Sequence, residues 1–288
     1  MQTPIIALAN DDGIKAAGLR ALEEALKDLG DVWVVAPDRE RSATSHGISL
    51  HDPMRLREVG PQRFSLDGLP ADCMYVALNH LLPRRPALVV SGINNGPNLG
   101  TDILYSGTVG AAMEGALNGV PAIAASLCLP EVGQSVRTVA DYAEAASFIA
   151  SLAKRILAAP PKPGMMFNVN VPVSSYEGER PYKVTRLGVS DWENSVDERH
   201  DPRGKSYLWI GGRRRPGGTI KESDNSAIAC GVVSVTPLHF DLTDPSGFDY
   251  LKSEPLEGMS RMNDALSKSD FERVDLPERK LGIESSDA

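Results

Sequence analysis

The chain has 288 residues, 42% hydrophobic and 24% charged, with a net charge of −8 at neutral pH. It is long enough for one large α/β domain, or one domain with an appendage. An acidic chain of this kind is not suited to wrapping long nucleic acid, and no run approaches the roughly 20 apolar residues that span a bilayer. Cys73, Cys128 and Cys230 are far apart and form no CxxC pair, so neither a disulfide framework nor a zinc cluster is expected, and a reducing cytoplasm fits. The opening MQTPIIALANDDG has no basic leader and does not read as a signal peptide.

Pro4 to Ala9 is a short apolar run, as in a buried strand of a parallel sheet. Asn10-Asp11-Asp12-Gly13 follows it, and a helical pattern runs from about Ala17 to Leu29. Open α/β sheets bind ligands at the carboxyl ends of their strands. Two adjacent carboxylates there need a cation or a proton between them, so Asp11 and Asp12 are candidate ligands of a divalent metal. The alternative is an Asn/Asp/Gly turn with an acid near a helix start.

Asp31 to Ala36 reads as a second buried strand, about one βαβ unit after the first. The polar loop PDRERSATSHG leaves its carboxyl end and offers Ser42, Thr44 and Ser45 as ligand contacts, while Arg39 and Arg41 read as solvated. Between Ile48 and Asp67 the pattern suggests a hairpin excursion, and Ala71 to Leu82 a helix. The strand Ala87 to Val90 then enters Ser91-Gly92-Ile93-Asn94-Asn95-Gly96-Pro97-Asn98-Leu99-Gly100, which is neither Walker A nor GxGxxG. Asparagine carbonyls ligate hard cations and asparagine amides donate to phosphate, so Asn94 and Asn98 are candidates; an irregular turn is the alternative. Ser106 or Thr108 is placed to cap a helix rich in glycine and alanine, whose first amides would attract a phosphate.

Ala122 to Ser126 reads as a strand, Val136 to Leu157 as a long helix, and Met166 to Val171 and Tyr182 to Leu187 as further strands. Residues 191–224 are charged and glycine-rich around Tyr207-Leu208-Trp209-Ile210, which suggests a protruding hairpin with Trp192 and Trp209 as partner contacts. Asp224 to Ala229 reads as one helical turn and Val232 to Pro237 as a returning strand. From Glu257 the chain is charged, with room for one helix, and the last ten residues read as disordered.

Together Asp11-Asp12, Ser42, Asn94/Asn98 and the helix start at Ser106 to Thr108 make an all-oxygen metal site beside an anion site. Such a pair implies metal-assisted phosphoryl transfer or hydrolysis. The strings NDDG (10–13), VAPDRERSATSH (35–46), SGINNGPNLGTD (91–102), YSGTV (105–109) and AAMEG (111–115) resemble the SurE family of nucleotidases. The distinctive match covers about residues 5 to 126, and weaker similarity continues through VVSVTPLHFDLTD (232–244).

That resemblance implies a Rossmann-like, mostly parallel α/β sheet flanked by helices, with a carboxyl-terminal hairpin and tail used for oligomerisation. It implies metal-dependent hydrolysis of nucleoside 5′- and 3′-monophosphates in the cytoplasm by a homodimer or homotetramer. One divalent ion per subunit, Mg²⁺ or Mn²⁺ with Ca²⁺ as a stand-in, would be held by Asp11, Asp12, Ser42 and Asn94, with Asp11 or Asp12 as catalytic base. Asn98, Ser106, Gly107 and Thr108 would contact phosphate. The chain then divides into a catalytic core (1–190), the hairpin (191–224), a return strand (225–256) and a charged tail (257–288). That extended acidic end departs from shorter members of the family. Competing readings are an exopolyphosphatase for short chains and a non-catalytic nucleotide- or metal-binding module.

Overall fold

The computed structural model describes residues 2–129, 138–173, 181–190, 192–214 and 220–253. The expectations for the tail from Glu257 lie outside the described residues. In chain order the elements are β1 (Ile5–Ala9), α1 (Ala17–Leu26), β2 (Asp31–Pro37), β3 (Leu56–Gly60), β4 (Arg63–Leu66), α2 (Pro70–Val76), β5 (Leu88–Asn95), α3 (Gly107–Leu117), β6 (Ala122–Cys128), α4 (Ala143–Ala158), β7 (Met166–Pro172), β8 (Tyr182–Val184), β9 (Trp192–His200), β10 (Ser206–Arg214), α5 (Asp224–Ala229), β11 (Val233–Leu238) and α6 (Pro245–Ser253). Contacts divide the chain into two units, Met1–His239 and Phe240–Ala288, and α6 is the one described helix of the second.

Among the described residues nine strands form one sheet in the order β3-β4-β2-β1-β5-β6-β7-β11-β8, and β9 and β10 form a separate two-stranded sheet. The pairs β4-β2, β2-β1, β1-β5, β5-β6 and β6-β7 are parallel, whereas β3 and β11 run antiparallel to β4 and β7. β1 lies between β2 and β5, so the residues that follow it leave the middle of the parallel block.

Alternation along β1 divides the core. Ile6 and Leu8 face α1 and α4, among Leu19, Leu22 and Ile149. Ala7 and Ala9 face α2 and α3, among Met74, Val109 and Ala112. Small side chains on the second face let α3 approach closely, and a Cβ on Gly115 would stand 2.8 Å from the Val89 side chain. Ala16, the N-cap of α1, gives the helix no side-chain cap. A cap is worth about 1 kcal/mol, whereas each buried leucine is worth about 1.5–3 kcal/mol. Packing of Leu19, Leu22 and Leu26 therefore holds this helix.

Several expectations need correction. The 48–67 hairpin is no excursion, because β4 joins β2 in parallel and extends the sheet. Stacking of Phe64 on Trp33, with ring centroids 6.1 Å apart, anchors it there. β5 does not end at Val90 but continues to Asn95, with a register shift between Ser91 and Asn94. Gly92 (φ +128°) accommodates that irregularity, and a Cβ there would stand 2.3 Å from Ala125 O. The helix expected over 71–82 ends its α-helical part at Val76 and continues as a π turn over Ala77–Leu81. The next long helix begins as a 3-10 turn, Val139–Tyr142, before α4.

Gly18 opposes helix propensity and packing. Alanine would favour α1 intrinsically by about 1 kcal/mol, but its Cβ would stand 2.1 Å from Ile93 O. Gly18→Ala should therefore destabilise the fold by about 1–3 kcal/mol, measured by urea unfolding. An unchanged midpoint would show that α1 shifts freely on β5.

Candidate metal and phosphate site

β1 ends in a turn that brings two carboxylates into one cleft. Asn10 Oδ1 accepts from Gly13 N at 3.2 Å, and Asn10 Nδ2 donates back to Gly13 O at 3.1 Å. Gly13 has φ +97°, and a Cβ on it would stand 3.1 Å from the Arg39 carbonyl carbon. Only glycine suits both the angle and the contact. The cleft measures about 310 Å³ and is lined by Asp11, Asp12, Glu40, Ser42, Asn94, Asn95, Asn98, Asp102, Tyr105 and Ser106 among others. Larger hollows lie beside α1 and beneath α4. The first is lined by Glu23 and Glu24, each ion-paired, with Arg63 and Lys27 respectively, and the second is mainly apolar, so neither presents a carboxylate pair without a cation.

Asp11 is only 5% exposed and lies against the first turn of α3. Thr108 N donates to Asp11 Oδ2 at 3.1 Å, and the Thr108 hydroxyl donates to Oδ1. Burial still raises the Asp11 carboxyl above its ordinary value, outweighing the Thr108 bonds that lower it. Asp12 is less enclosed and accepts from Asn95 N at 3.3 Å. Burial first, then the neighbouring Asp11 charge, push it up to about 7, and Glu40 adds a smaller upward push.

The loop after β2 is tied to both the turn and α3. Arg41 N donates to Asp11 O at 2.7 Å, Ser45 N to Tyr105 O at 3.0 Å, and the Ser45 hydroxyl to Leu104 O at 2.6 Å. His46 Nε2 lies 2.9 Å from Glu114 Oε2. Ser42 lines the cleft, and its hydroxyl donates to Glu40 Oε1 at 2.7 Å. Thr44, a sequence candidate, instead donates to Arg41 O at 3.0 Å. Arg39 is exposed as expected, but Arg41 turns inward and donates to Asp67 O at 3.0 Å.

Asn94 reaches the cleft from β5, its Nδ2 donating to Gly96 O at 2.9 Å. Asn98 lines the same cleft and is largely buried. Ser106 caps α3, accepting from Val109 N at 3.1 Å. Two sequence candidates stand behind the cleft wall. A Cβ on Gly107 would stand 3.0 Å from Asp11 Cβ, so its use is close approach. Thr108 is fully buried with both donors directed to Asp11, so it acts on the cleft through that carboxylate. The free helix amides expected for an anion are accordingly taken at Thr108 and Val109.

Sequence reasoning passed over Glu40, Asp102 and Tyr105, which also line the cleft, and Asn168 and Asn170 beneath Asn98. The available signal for the last two was Asn-Val-Asn, two amides on one face of an apolar strand.

Asp11, Asp12, Ser42 and Asn94 are oxygen donors with two adjacent carboxylates, a set that suits a hard divalent cation. The upward push on Asp12 marks an uncompensated negative site, and a cation fits it. Among the described residues no group of three or more His, Cys, Asp or Glu side chains is placed to hold a metal, so a zinc-type cluster is not found there.

A family model described as Survival protein SurE matches residues 6–194. The chain belongs to the SurE family. It is 51% identical over 258 residues to the 5′-nucleotidase SurE of Myxococcus xanthus (strain DK1622), covering 89% of this chain and 95% of that one. It is 49% identical over 259 residues to the 5′-nucleotidase SurE of Anaeromyxobacter dehalogenans (strain 2CP-C), covering 89% and 98%. Its fold matches the crystal structure of the SurE protein from Aquifex aeolicus with a TM-score of 0.73 at 38% identity, covering 86% of this chain and 100% of that one. The Rossmann-like core expected from the SurE motifs is thus observed.

The raised Asp12 carboxyl gives a signed test. At about 7 folded against 3.8 for the free group, Asp12 binds more protons folded than unfolded between those values. Its contribution to metal-free stability is fully present below about pH 4 and is lost as pH rises through about 7. A cation needs the ionised form and competes with that proton. The gain in melting temperature from Mn²⁺ over EDTA should therefore grow from about pH 5.5 to about pH 8, and Asp12→Asn should flatten the trend. Thermal scans at fixed ionic strength measure both, and a gain independent of pH would count against Asp12 as a ligand.

Proposed function

We propose that the chain is a metal-dependent 5′-nucleotidase that hydrolyses nucleoside 5′-monophosphates, and also 3′-monophosphates, to nucleoside and phosphate. The observation that carries this reading is the adjacent pair Asp11 and Asp12 in one cleft. It stands in a chain 49–51% identical, across 89% of its length, to proteins named 5′-nucleotidase SurE.

Asp11, Asp12, Ser42 and Asn94 would hold one Mg²⁺ or Mn²⁺ ion per subunit. Such an ion supplies Lewis-acid polarisation of phosphoryl oxygens and acidifies water at neutral pH. The protein's own groups do the rest. Thr108 fixes the Asp11 carboxylate, while the more open Asp12 takes the proton of the attacking water. The Asn98 amide and Ser106 hydroxyl contact the phosphate from the cleft wall. The exposed ring of Tyr105, beside Ser106, offers a face on which a base can stack.

Phosphate release from nucleoside monophosphates and short polyphosphate, with Mn²⁺, Mg²⁺ or EDTA, tests this directly. Turnover should require metal, favour nucleoside monophosphates, and fall more than about a hundredfold in Asp11→Ala. Folded Asp11→Ala with undiminished activity would refute the assignment. Binding without turnover would point to a module, and a preference for polyphosphate to an exopolyphosphatase.

The hairpin supports assembly as a homodimer or homotetramer. Among the described residues β9 and β10 pair only with each other, and an isolated two-stranded sheet is marginal in water. Trp209 is 58% and Ile210 92% exposed, and alternation puts them on opposite faces. Replacing both with serine should lower the mass seen by light scattering, whereas an unchanged mass would remove these side chains from the interface. Cys73, Cys128 and Cys230 are not joined to one another in a disulfide, which suits a reducing cytoplasm. Among the described residues no helix is long and apolar enough to cross a membrane.

A further inference from the structure

We propose that Asn168 and Asn170 are positioning residues for phosphate binding, holding Asn98 in place from beneath. β7 lies beside β6 with Ala124 opposite Asn168 and Ser126 opposite Asn170. Asn168 and Asn170 are two apart and share a sheet face, and Ser126 stands laterally beside Asn170 on that face. Asn98 O accepts from Asn168 Nδ2 at 2.9 Å and from Asn170 Nδ2 at 2.8 Å. Asn98 N donates to Asn170 Oδ1 at 2.9 Å, and Asn98 Nδ2 donates to Ser126 Oγ at 2.8 Å. Asn98 is 7% exposed and the other three are fully buried. Both backbone polar groups of Asn98 and one side-chain donor are thus taken from below, and Asn98 still lines the cleft.

The arrangement disfavours stability, which argues that it serves the cleft. Asn168 Oδ1 is buried and has no hydrogen-bond partner among the described residues. An unpaired buried acceptor is unfavourable, and an apolar side chain of similar shape avoids that loss. Phe167, Val169 and Val171 beside it are apolar. What Asn168 gains by being an amide is its bond to Asn98 O. The next residues are anchored separately, Leu99 O by Ser190 Oγ at 2.8 Å and Gly100 N by Asp224 Oδ2 at 2.7 Å. The amide pair therefore acts on Asn98 and not on the segment as a whole.

The inference rests on Asn98 as a phosphate contact, so the experiment carries Asn98→Ala beside Asn168→Leu and Ser126→Ala. Each full-length variant is assayed with Mn²⁺ for KM, kcat and inhibition by inorganic phosphate, and for Mn²⁺ affinity and melting temperature. Asn168→Leu should keep or raise the melting temperature and leave Mn²⁺ affinity unchanged. Its KM and phosphate inhibition constant should rise about tenfold through displacement of Asn98. Ser126→Ala removes one oxygen and carries the same kinetic test if Asn168→Leu fails to fold. Folded variants with wild-type KM and phosphate inhibition, beside a weakened Asn98→Ala, would overturn the positioning role and leave the phosphate reading standing. Wild-type phosphate inhibition in Asn98→Ala would overturn both.

Discussion

Asp11 holds its carboxylate out of water against the first turn of α3, and a desolvated charge is tolerated only where donors converge on it. Thr108 supplies two of them, and they are within reach because Gly107 lets the helix start lie against Asp11 Cβ. Gly110, with an added Cβ 2.4 Å from Ser45 O, lets the Ser42 loop lie against the same helix. The small face of β1, Ala7 and Ala9, gives α3 room over the sheet. A run of glycine and alanine that looks featureless is what brings three loops to one carboxylate pair.

Polar burial extends across the carboxyl edge of the sheet. Ser126, Asn168, Asn170, Ser234 and Thr236 are all buried, on strands whose other residues are mainly apolar. Thr185 bonds to both Ser234 and Thr236 at 2.7 Å, so much of this polar layer satisfies itself. The exceptions are Ser91 Oγ and Asn168 Oδ1, on laterally aligned positions with Ala124 between them. Unpaired atoms are expected where function rather than stability selects the side chain.

The carboxylate pair, the Ser106 cap and the parallel core were legible because each depends on local pattern: strand period, turn residues and capping chemistry. What was not legible depends on tertiary contacts. Nothing local marks Thr108 as a partner of Asp11 ninety-seven positions away. SGINN reads as a loop because Gly and Asn are poor strand formers, yet pairing with β6 extends β5 through it. Arg41 reads as solvated because arginine normally is, and its inward turn follows from the carbonyl of Asp67, brought close when β4 pairs with β2. Asn168 and Asn170 broke the apolar pattern of their strand, which was the usable clue, but their target was visible only once β7 lay beside Asn98.

The base of the hairpin shares hydrogen bonds with the wall of the cleft. Trp192 Nε1 donates to Asp102 Oδ1 at 2.8 Å, Ser190 N to Thr101 Oγ1 at 3.3 Å and Ser190 Oγ to Leu99 O at 2.8 Å. Asp224 adds bonds from Gly100 N and Gly188 N to a single carboxylate. Residues 98–102 are thus ordered from two sides, by β7 beneath and by the hairpin base alongside. Contiguity of this kind is not coupling, which requires an element with two arrangements that both sites bias. It does mean that the segment carrying Asn98 and Asp102 takes its shape from contacts at least 72 positions away in the chain.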